Sequence, residues 1–345
     1  TGDVTLNLSG LVPGLRLATN RLLPGYWMSE GILSLTEGQV GRGLLFWGVI
    51  VANALLLGSI VETVGGWVFF EGWQRAQGSR GRRGRRAVVL DTLARVFRPL
   101  PSDVRAMLVK DIKTFFRDPV QWSQALIFFG LLAFYFANLR TFRYHALPSS
   151  WRNIVAFLNV FSVSAVMCSL GSRFIFPQLS LEGHGFWIVG LSPTSMTKVL
   201  LTKFGLAASG MLLVSVTLMI LSSSMLQATA ATRIAAVAVA CSISFAICGL
   251  SVGLGAVFID LNQRNPAAIV SGFGGTLNLV LSLAFMLASI VPFGFLFHLH
   301  FVAHIPLARL APGFWAAGTW LALITAATTV IPLVLGRRTL RRREF

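Results

Sequence analysis

Charged residues are scarce in this sequence, and acidic residues are the scarcest of all. The 345 residues include only 12 Asp and Glu, and all charged residues together make up 12% of the chain, whereas soluble domains usually contain about 25%. Seven apolar runs contain no Asp, Glu, Lys or Arg, at 43–61, 121–139, 153–172, 204–222, 234–259, 267–297 and 313–336. Because about 20 uncharged apolar residues span a bilayer, we predict an all-α polytopic membrane protein with seven spans.

Cysteine is also scarce, which limits the covalent and metal chemistry of the chain. The three cysteines are Cys168, Cys241 and Cys248. All lie in apolar runs, so a disulfide framework of the secreted type is excluded, and we interpret them as packing residues. A histidine cluster, His298, His300 and His304, has no acidic or cysteine residue in its loop. We therefore predict no metal site there.

The sequence shows no usable motif for nucleotide binding or hydrolase chemistry. No G-x-x-x-x-G-K-[ST] sequence occurs, so the chain has no phosphate-binding loop of that type. Residues 249–253 match G-x-S-x-G, but that motif needs a strand-to-helix turn and here lies within a predicted span. The spacing of Gly249 and Gly253 favours close helix packing instead. We assign Gly272, Gly274 and Gly275 to packing in a later span, and we predict no catalytic residue.

Positive charge is plentiful but is confined to alternate loops. The net charge is +17, and 21 of the 29 Lys and Arg lie in 71–118, in 173–203, in 260–266 and after residue 336. Loops rich in Lys and Arg remain cytoplasmic. This distribution predicts a multi-pass protein of the cell (inner) membrane with its N-terminal segment outside and its C-terminus in the cytoplasm.

The densest basic run, 78–86, lies in a predicted cytoplasmic linker at 75–101. No aromatic residue is interleaved in the run for base stacking, so we predict contact with anionic lipid headgroups and no nucleic-acid partner. The linker divides the chain into an outer segment with one span, 1–74, and a six-span domain, 102–345.

Two segments with similar sequences precede the first and last spans. Residues 23–27 read LPGYW and residues 311–315 read APGFW. One interpretation is that 1–74 is the remnant of a preceding repeat, most of which this chain lacks. The other is that proline and aromatic residues are simply common at an outer interface.

In three further segments the local sequence predicts a specific structure. Residues 102–118 place five large apolar side chains on one helical face, which predicts a helix lying in the cytoplasmic interface. The long loop 173–203 contains a predicted short helix at 179–189. The run 267–297 is too long for one upright span, and Pro292 with Gly294 predicts a break there, followed by a re-entrant or interfacial piece on the outer side.

The absence of charge within the spans limits the mechanism. Ion-coupled transporters generally place ionisable groups inside the membrane, whereas these runs contain only neutral polar residues such as Asn159 and Asn278. Such residues could line a path for an amphiphilic substrate or bond neighbouring helices. An ion-coupled secondary transporter or channel is the alternative function that this pattern disfavours. An intramembrane enzyme is disfavoured by the lack of paired acids, bases or metal ligands.

Three stretches of this sequence resemble the permeases of type 2 ABC exporters from bacteria. They are Lys110 and Asp111 through Phe115, Phe116, Arg117, Asp118 and Pro119 to Gln121 and Trp122; Phe176 and Pro177 through Ser180, Leu181, Glu182 and Gly183 to Phe186 and Trp187; and Asn265 and Pro266 through Gly272 to Gly275. The resemblance covers 103–345 well and 23–74 more loosely. The Arg/Gly run at 78–86 is not part of the family's pattern.

This resemblance implies a permease that exports a substrate with the energy of a separate ATP-binding cassette ATPase subunit. ATP and Mg would then bind to that partner, and this chain would hold no cofactor of its own. The segment 179–190, including Leu181, Glu182, Gly183, Phe186 and Trp187, would be the coupling helix that contacts the ATPase. Residues 102–118 would be the interfacial connecting helix, and two six-span units would pair around the substrate.

The charge distribution gives a testable topology. Single cysteines introduced at Ser79 and at Ser223, in a chain without its native cysteines, should react from opposite sides of the membrane with an impermeant thiol reagent, because the two positions lie in loops of opposite charge class. Comparing labelling of intact cells with labelling of opened membranes measures this. Labelling of both positions from one side would contradict the predicted topology.

Overall fold

The computed structural model describes residues 23–78, 97–118, 121, 123–130, 132–133, 149–191, 194–226, 229–263 and 265–342. Helices make up 89% of this part of the chain, and no strand occurs in it. The predicted all-α class is therefore confirmed.

Apart from the helical residues 123–130, ten α-helices follow one another in the described ranges. They are α1 Pro24–Thr36, α2 Val40–Gly78, α3 Ser102–Arg117, α4 Ser149–Leu170, α5 Phe186–Gly190, α6 Met196–Met225, α7 Ala230–Val257, α8 Pro266–Ser271, α9 Phe273–Phe301 and α10 Leu307–Arg342. A π-helical turn, Gly171–Ile175, extends α4, and two 3₁₀ turns, Phe176–Gln178 and Ser180–Gly185, connect it to α5. We call the stretch 171–190 the elbow.

Six helical segments are long and apolar enough to cross a membrane, so the protein is a multi-pass membrane protein. They are Val40–Phe69, Phe157–Gly183, Met196–Met225, Ala230–Val257, Phe273–His300 and Ala308–Arg342. Each overlaps one of the seven predicted runs. The remaining run, 121–139, is described only in part, and residues 123–130 within it are helical.

The chain divides into two compact units. In the first, α1 packs against α2, and the turn between them is closed by a hydrogen bond of 2.8 Å from the backbone N–H of Gln39 to the carbonyl of Ser34. The second unit contains α3 to α10 and is built around α7, which packs against α4, α6, α9 and α10. Nearly all of the second half of α7 is buried.

Small residues let α10 approach α7 closely. A Cβ atom at Gly249 would lie 2.6 Å from the Cα of Thr329, and one at Gly253 would overlap the backbone of Pro332. Two other glycines meet different neighbours, since Gly274 lies against the side chain of Phe258 and Gly275 against the backbone of α8. These contacts leave no room for side chains, which is how glycine stabilises helix pairs in membranes.

The structure places the break in the 267–297 run elsewhere than predicted. The chain is interrupted at Gly272, which is extended between α8 and α9, and α9 then continues through Pro292 and Gly294 to Phe301. The prediction of a break at Pro292 with a re-entrant piece after it is therefore wrong. Asn265 explains the short helix instead, because its side chain accepts a hydrogen bond from the N–H of Ala267 and Pro266 occupies the first turn.

A tryptophan on the neighbouring helix explains why α9 tolerates Pro292. Proline has no N–H, so the carbonyl four residues earlier, that of Ala288, loses its helical partner. The indole Nε1–H of Trp320 on α10 donates to this oxygen at 3.0 Å. An unsatisfied carbonyl is costly in lipid, so this bond offsets the main penalty of the proline.

The same bond predicts a specific energetic coupling. Trp320→Phe should lower the free energy of unfolding by about 1–2 kcal/mol, because the carbonyl of Ala288 loses its donor. In a Pro292→Ala background the loss should be much smaller, since the N–H of residue 292 then bonds that carbonyl. Unfolding followed by intrinsic fluorescence in detergent measures all four proteins.

The exposed Trp315 of the same helix provides the matched control. Trp315→Phe should cost the same small amount with and without proline at position 292. An equal cost of Trp320→Phe in both backgrounds would contradict the proposed bond.

Candidate functional site

A cluster of oppositely charged side chains joins three elements of the second unit. Glu182 of the elbow forms ion pairs with Lys110 of α3 at 2.8 Å and with Lys203 of α6 at 2.5 Å, both measured from Nζ to Oε1. Asp111 of α3 pairs with the same two lysines at 3.2 Å each. We call these four residues the ion cluster. Two cations and two anions balance within it.

Burial makes the ion cluster more than a set of surface pairs. The side chain of Lys203 is 6% exposed and that of Glu182 is 12% exposed, whereas that of Lys110 is 44% exposed. Charges removed from water are unfavourable unless they are paired. Each buried member therefore depends on the others, and removing one leaves a charge that water reaches poorly.

The electrostatic state of Lys110 follows from its surroundings. Burial lowers the pKa of its ammonium group, but the carboxylates of Glu182 and Asp111 outweigh that effect and raise the pKa above its ordinary value of 10.5. A raised pKa adds stability that is complete below the ordinary value and is lost only as the pH rises through the raised one. The Lys110 pairs therefore persist throughout the neutral range.

A second and more exposed pair joins the same two helices. Lys198, near the start of α6, lies 3.2 Å from Asp103 in the first turn of α3. The backbone N–H of Val104 and the ammonium group of Lys198 hold the pKa of Asp103 below its ordinary value. Because this pair is accessible to water, it contributes much less than the ion cluster.

Local backbone geometry brings Glu182 to the ion cluster. Gly183 has φ 53° and ψ −142°, a conformation that glycine adopts far more readily than other residues. It turns the chain immediately after Glu182 and lets α5 begin at Phe186. On the other side of Glu182, Ser180 accepts a hydrogen bond of 3.1 Å from the N–H of Asp260, which ties the elbow to the end of α7.

Two of the residues predicted to contact an ATPase point into the protein. Phe186 is fully buried, and Leu181 packs against the small apolar cluster formed by Phe176, Leu250, Leu254 and Ile269. Glu182, which was also predicted to contact the ATPase, is paired with lysines of its own chain. The side chain of Trp187 lies outside the described part of the structure.

The exposed apolar residues of this region are different ones. Ile188 is 60% exposed and Leu191 is 72% exposed. Sequence reasoning missed both, because nothing in a short run of apolar residues shows which side chain the turn at Gly183 directs outward. It also missed Lys203, which the sequence assigned to a loop and the structure places inside α6.

The helix predicted at 102–118 is present as α3. Some of its residues form ion pairs, and others are buried or exposed. Lys110 and Asp111 belong to the ion cluster, Leu108 is buried, and Phe115 is half-buried with its ring edge-on to Phe116. Phe116 and Arg117 are exposed, and the N–H of Asp118 bonds to Thr114 as the helix ends. The polar face of α3 therefore holds the elbow, while part of its apolar face remains uncovered.

No potential metal centre stands out in the described residues. Nowhere in those ranges do three or more His, Cys, Asp or Glu side chains come together. The ring of His300 lies with its Nδ1 2.8 Å from the carbonyl of Ile305, and His304 has a positive φ of 53°.

Comparison with known proteins gives one match. A family model with the description "Putative ATP-binding cassette" matches residues 2–345. No curated protein and no solved structure matches the chain.

The ion cluster predicts a large and specific loss of stability. Glu182→Gln should lower the free energy of unfolding by about 2–3 kcal/mol, because the buried ammonium group of Lys203 loses its strongest partner. Adding Lys203→Met should recover part of this loss by removing the unpaired charge. Thermal unfolding of the purified chain in one detergent measures both.

Lys198→Met is the matched control, since it removes an exposed lysine one turn away on the same helix. It should change stability little. If it cost as much as Glu182→Gln, burial of the ion cluster would not be the cause.

Proposed function

Since this chain belongs to the family described as "Putative ATP-binding cassette", we propose that it is the permease subunit of an ATP-driven exporter of the type 2 class. Membership and the six apolar helices make it an ABC-transporter-related membrane protein. The finer assignment rests on the sequence resemblance and on the arrangement of the elbow. The substrate would pass between the helices of two paired six-span units.

The observation that carries the proposal is the linkage of the elbow to two other elements. A permease driven by a separate ATPase needs an ordered segment that transfers movement of the partner to the spans. The ion cluster ties the elbow to α3 and to the start of α6, and Ser180 ties it to the end of α7. Displacement of the elbow would therefore pull on several helices together.

Two features of the sequence favour a separate subunit as the source of energy for transport. It has no G-x-x-x-x-G-K-[ST] motif, so ATP would bind to a partner through that partner's own phosphate-binding loop. The apolar runs carry no Asp, Glu, Lys or Arg, and coupling to an ion gradient usually requires such a residue. ATP hydrolysis by a second subunit is the energy source that fits both facts.

The exposed side chains of Ile188 and Leu191 are the best candidates for the contact with that subunit. Ile188 lies near the end of the elbow and Leu191 directly follows it, both beyond the turn at Gly183, and both are apolar and exposed. Removing exposed apolar surface from water favours association with a partner. Phe186 and Glu182, in contrast, hold the elbow from behind.

The test uses the full chain purified from its native membranes in mild detergent. We expect a polypeptide with a phosphate-binding loop to copurify and to give vanadate-sensitive ATP hydrolysis that the isolated chain lacks. Ile188→Ser with Leu191→Ser should remove about 3 kcal/mol of apolar contact, which corresponds to about a hundredfold weaker association. Copurified ATPase and turnover are measured together.

Val302→Ser is the control, because Val302 is an exposed aliphatic residue just after α9 and outside the elbow. It should leave association and turnover unchanged. ATP hydrolysis by the isolated chain, or substrate movement driven by an ion gradient without any ATPase, would contradict the proposed function. Unchanged association in the double variant would remove Ile188 and Leu191 from the contact.

A further inference from the structure

Polar side chains are buried between α4 with its π-helical extension and α9. The thiol of Cys168 donates to the backbone carbonyl of Ser282 at 3.5 Å, and the amide of Asn278 donates to the hydroxyl of Ser172 at 2.9 Å. Four residues separate the contacts on each helix, and they run in opposite directions. The two elements therefore lie antiparallel along a shared surface, which we call the seam.

Three polar atoms in the seam have no hydrogen-bond partner among the described residues. They are the hydroxyl of Ser164, the carbonyl oxygen Oδ1 of Asn278 and the hydroxyl of Ser282. All three residues are essentially fully buried. Ser164 lies one helical turn from Cys168, and Ser282 one turn from Asn278, so they share the faces that form the seam.

Three other buried serines of the bundle behave differently. Ser222, Ser244 and Ser289 each donate to a carbonyl of the preceding turn, at 3.2, 2.8 and 2.8 Å. This is the usual way in which a serine satisfies its hydroxyl inside an apolar helix. Ser164 and Ser282 do not use it, so their hydroxyls require a partner that the two helices do not supply.

Asn278 is only partly satisfied, and its free atom is an acceptor. Its amide nitrogen donates to Ser172 and, at 3.1 Å, to Ser251 of α7. The remaining oxygen Oδ1 can only accept, so the missing group must carry a hydrogen-bond donor. The hydroxyls of Ser164 and Ser282 can both donate and accept.

We propose that the seam is a binding site for water molecules within the helical bundle. Water is small, and it both donates and accepts, which is what the three atoms require. A metal or alkali cation fits less well because the 153–172 and 267–297 runs contain no carboxylate to balance its charge. A buried polar atom without a partner is unfavourable, so bound water would stabilise the seam by supplying the missing hydrogen bonds.

Radiolytic footprinting tests this proposal because hydroxyl radicals formed from bound water oxidise adjacent side chains. The full chain in lipid nanodiscs is equilibrated with ¹⁸O-water and exposed to a short X-ray pulse. Cys168 lies in the seam, while Cys248 is equally buried and has no described contact with the three unpartnered atoms. We expect ¹⁸O incorporation at Cys168 to be severalfold faster than at Cys248. Equal rates would overturn the proposal.

A pair of variants ties the signal to the seam. Ser282→Ala should reduce ¹⁸O incorporation at Cys168 severalfold, because one anchor of the water is lost. Ser215→Ala should not change it, since the Ser215 hydroxyl already lies 2.6 Å from that of Ser244 in a different helix pair. Should Ser282→Ala fail to fold, Ser164→Ala has the same expected effect. No effect of the seam variant would overturn the proposal.

A cation in the seam would give a different result. Replacing sodium and potassium by choline should leave the labelling of Cys168 unchanged if the seam holds water. A marked change on that replacement would overturn the proposal in favour of a cation site.

Discussion

The carboxylate of Glu182 joins three elements that are far apart in the sequence, namely the elbow, α3 and α6. It lies against Lys110 of α3 and Lys203 of α6, while its own segment is fixed to the end of α7 by Ser180. Few other described contacts join α3 to the bundle so specifically. Without the carboxylate, two ammonium groups would face each other and Asp111 alone would balance them. The attachment of the elbow to α3 and α6 therefore depends strongly on this one side chain.

In the rest of the second unit, the buried groups that need partners are neutral polar groups and not charges. Inside a membrane every polar group needs an internal partner, and several of these partners come from a neighbouring helix. Trp320 of α10 satisfies the carbonyl that Pro292 leaves free on α9, and Ser215 of α6 pairs with Ser244 of α7. Charged pairs are thus concentrated where the elbow meets α3 and α6, and the spans are held together by hydrogen bonds and by close contacts at glycine.

Sequence patterns predicted the features of this fold that depend on local composition. An uncharged apolar run is long enough to cross a bilayer whatever surrounds it, so six of the predicted spans are found in the structure, and α3 was recognised from its amphipathic period. The break was misplaced because Pro292 is helical only through Trp320, which lies 28 residues later and gives no local signal. The internal role of Glu182 was missed for the same reason, since its partner Lys203 looks like an ordinary loop lysine in the sequence.

An inward-facing carboxylate suits the proposed coupling better than one that reaches a partner. A pair between subunits would be exposed whenever they separate, and exposed pairs are weak and screened by salt. The ion cluster is largely buried, so it stays intact whether or not a partner is bound. The elbow can then move as one body with α3 and α6, and the apolar side chains of Ile188 and Leu191 are left to make the contact. In this arrangement salt would weaken the ion cluster little, and the strength of the partner contact would depend mainly on apolar area.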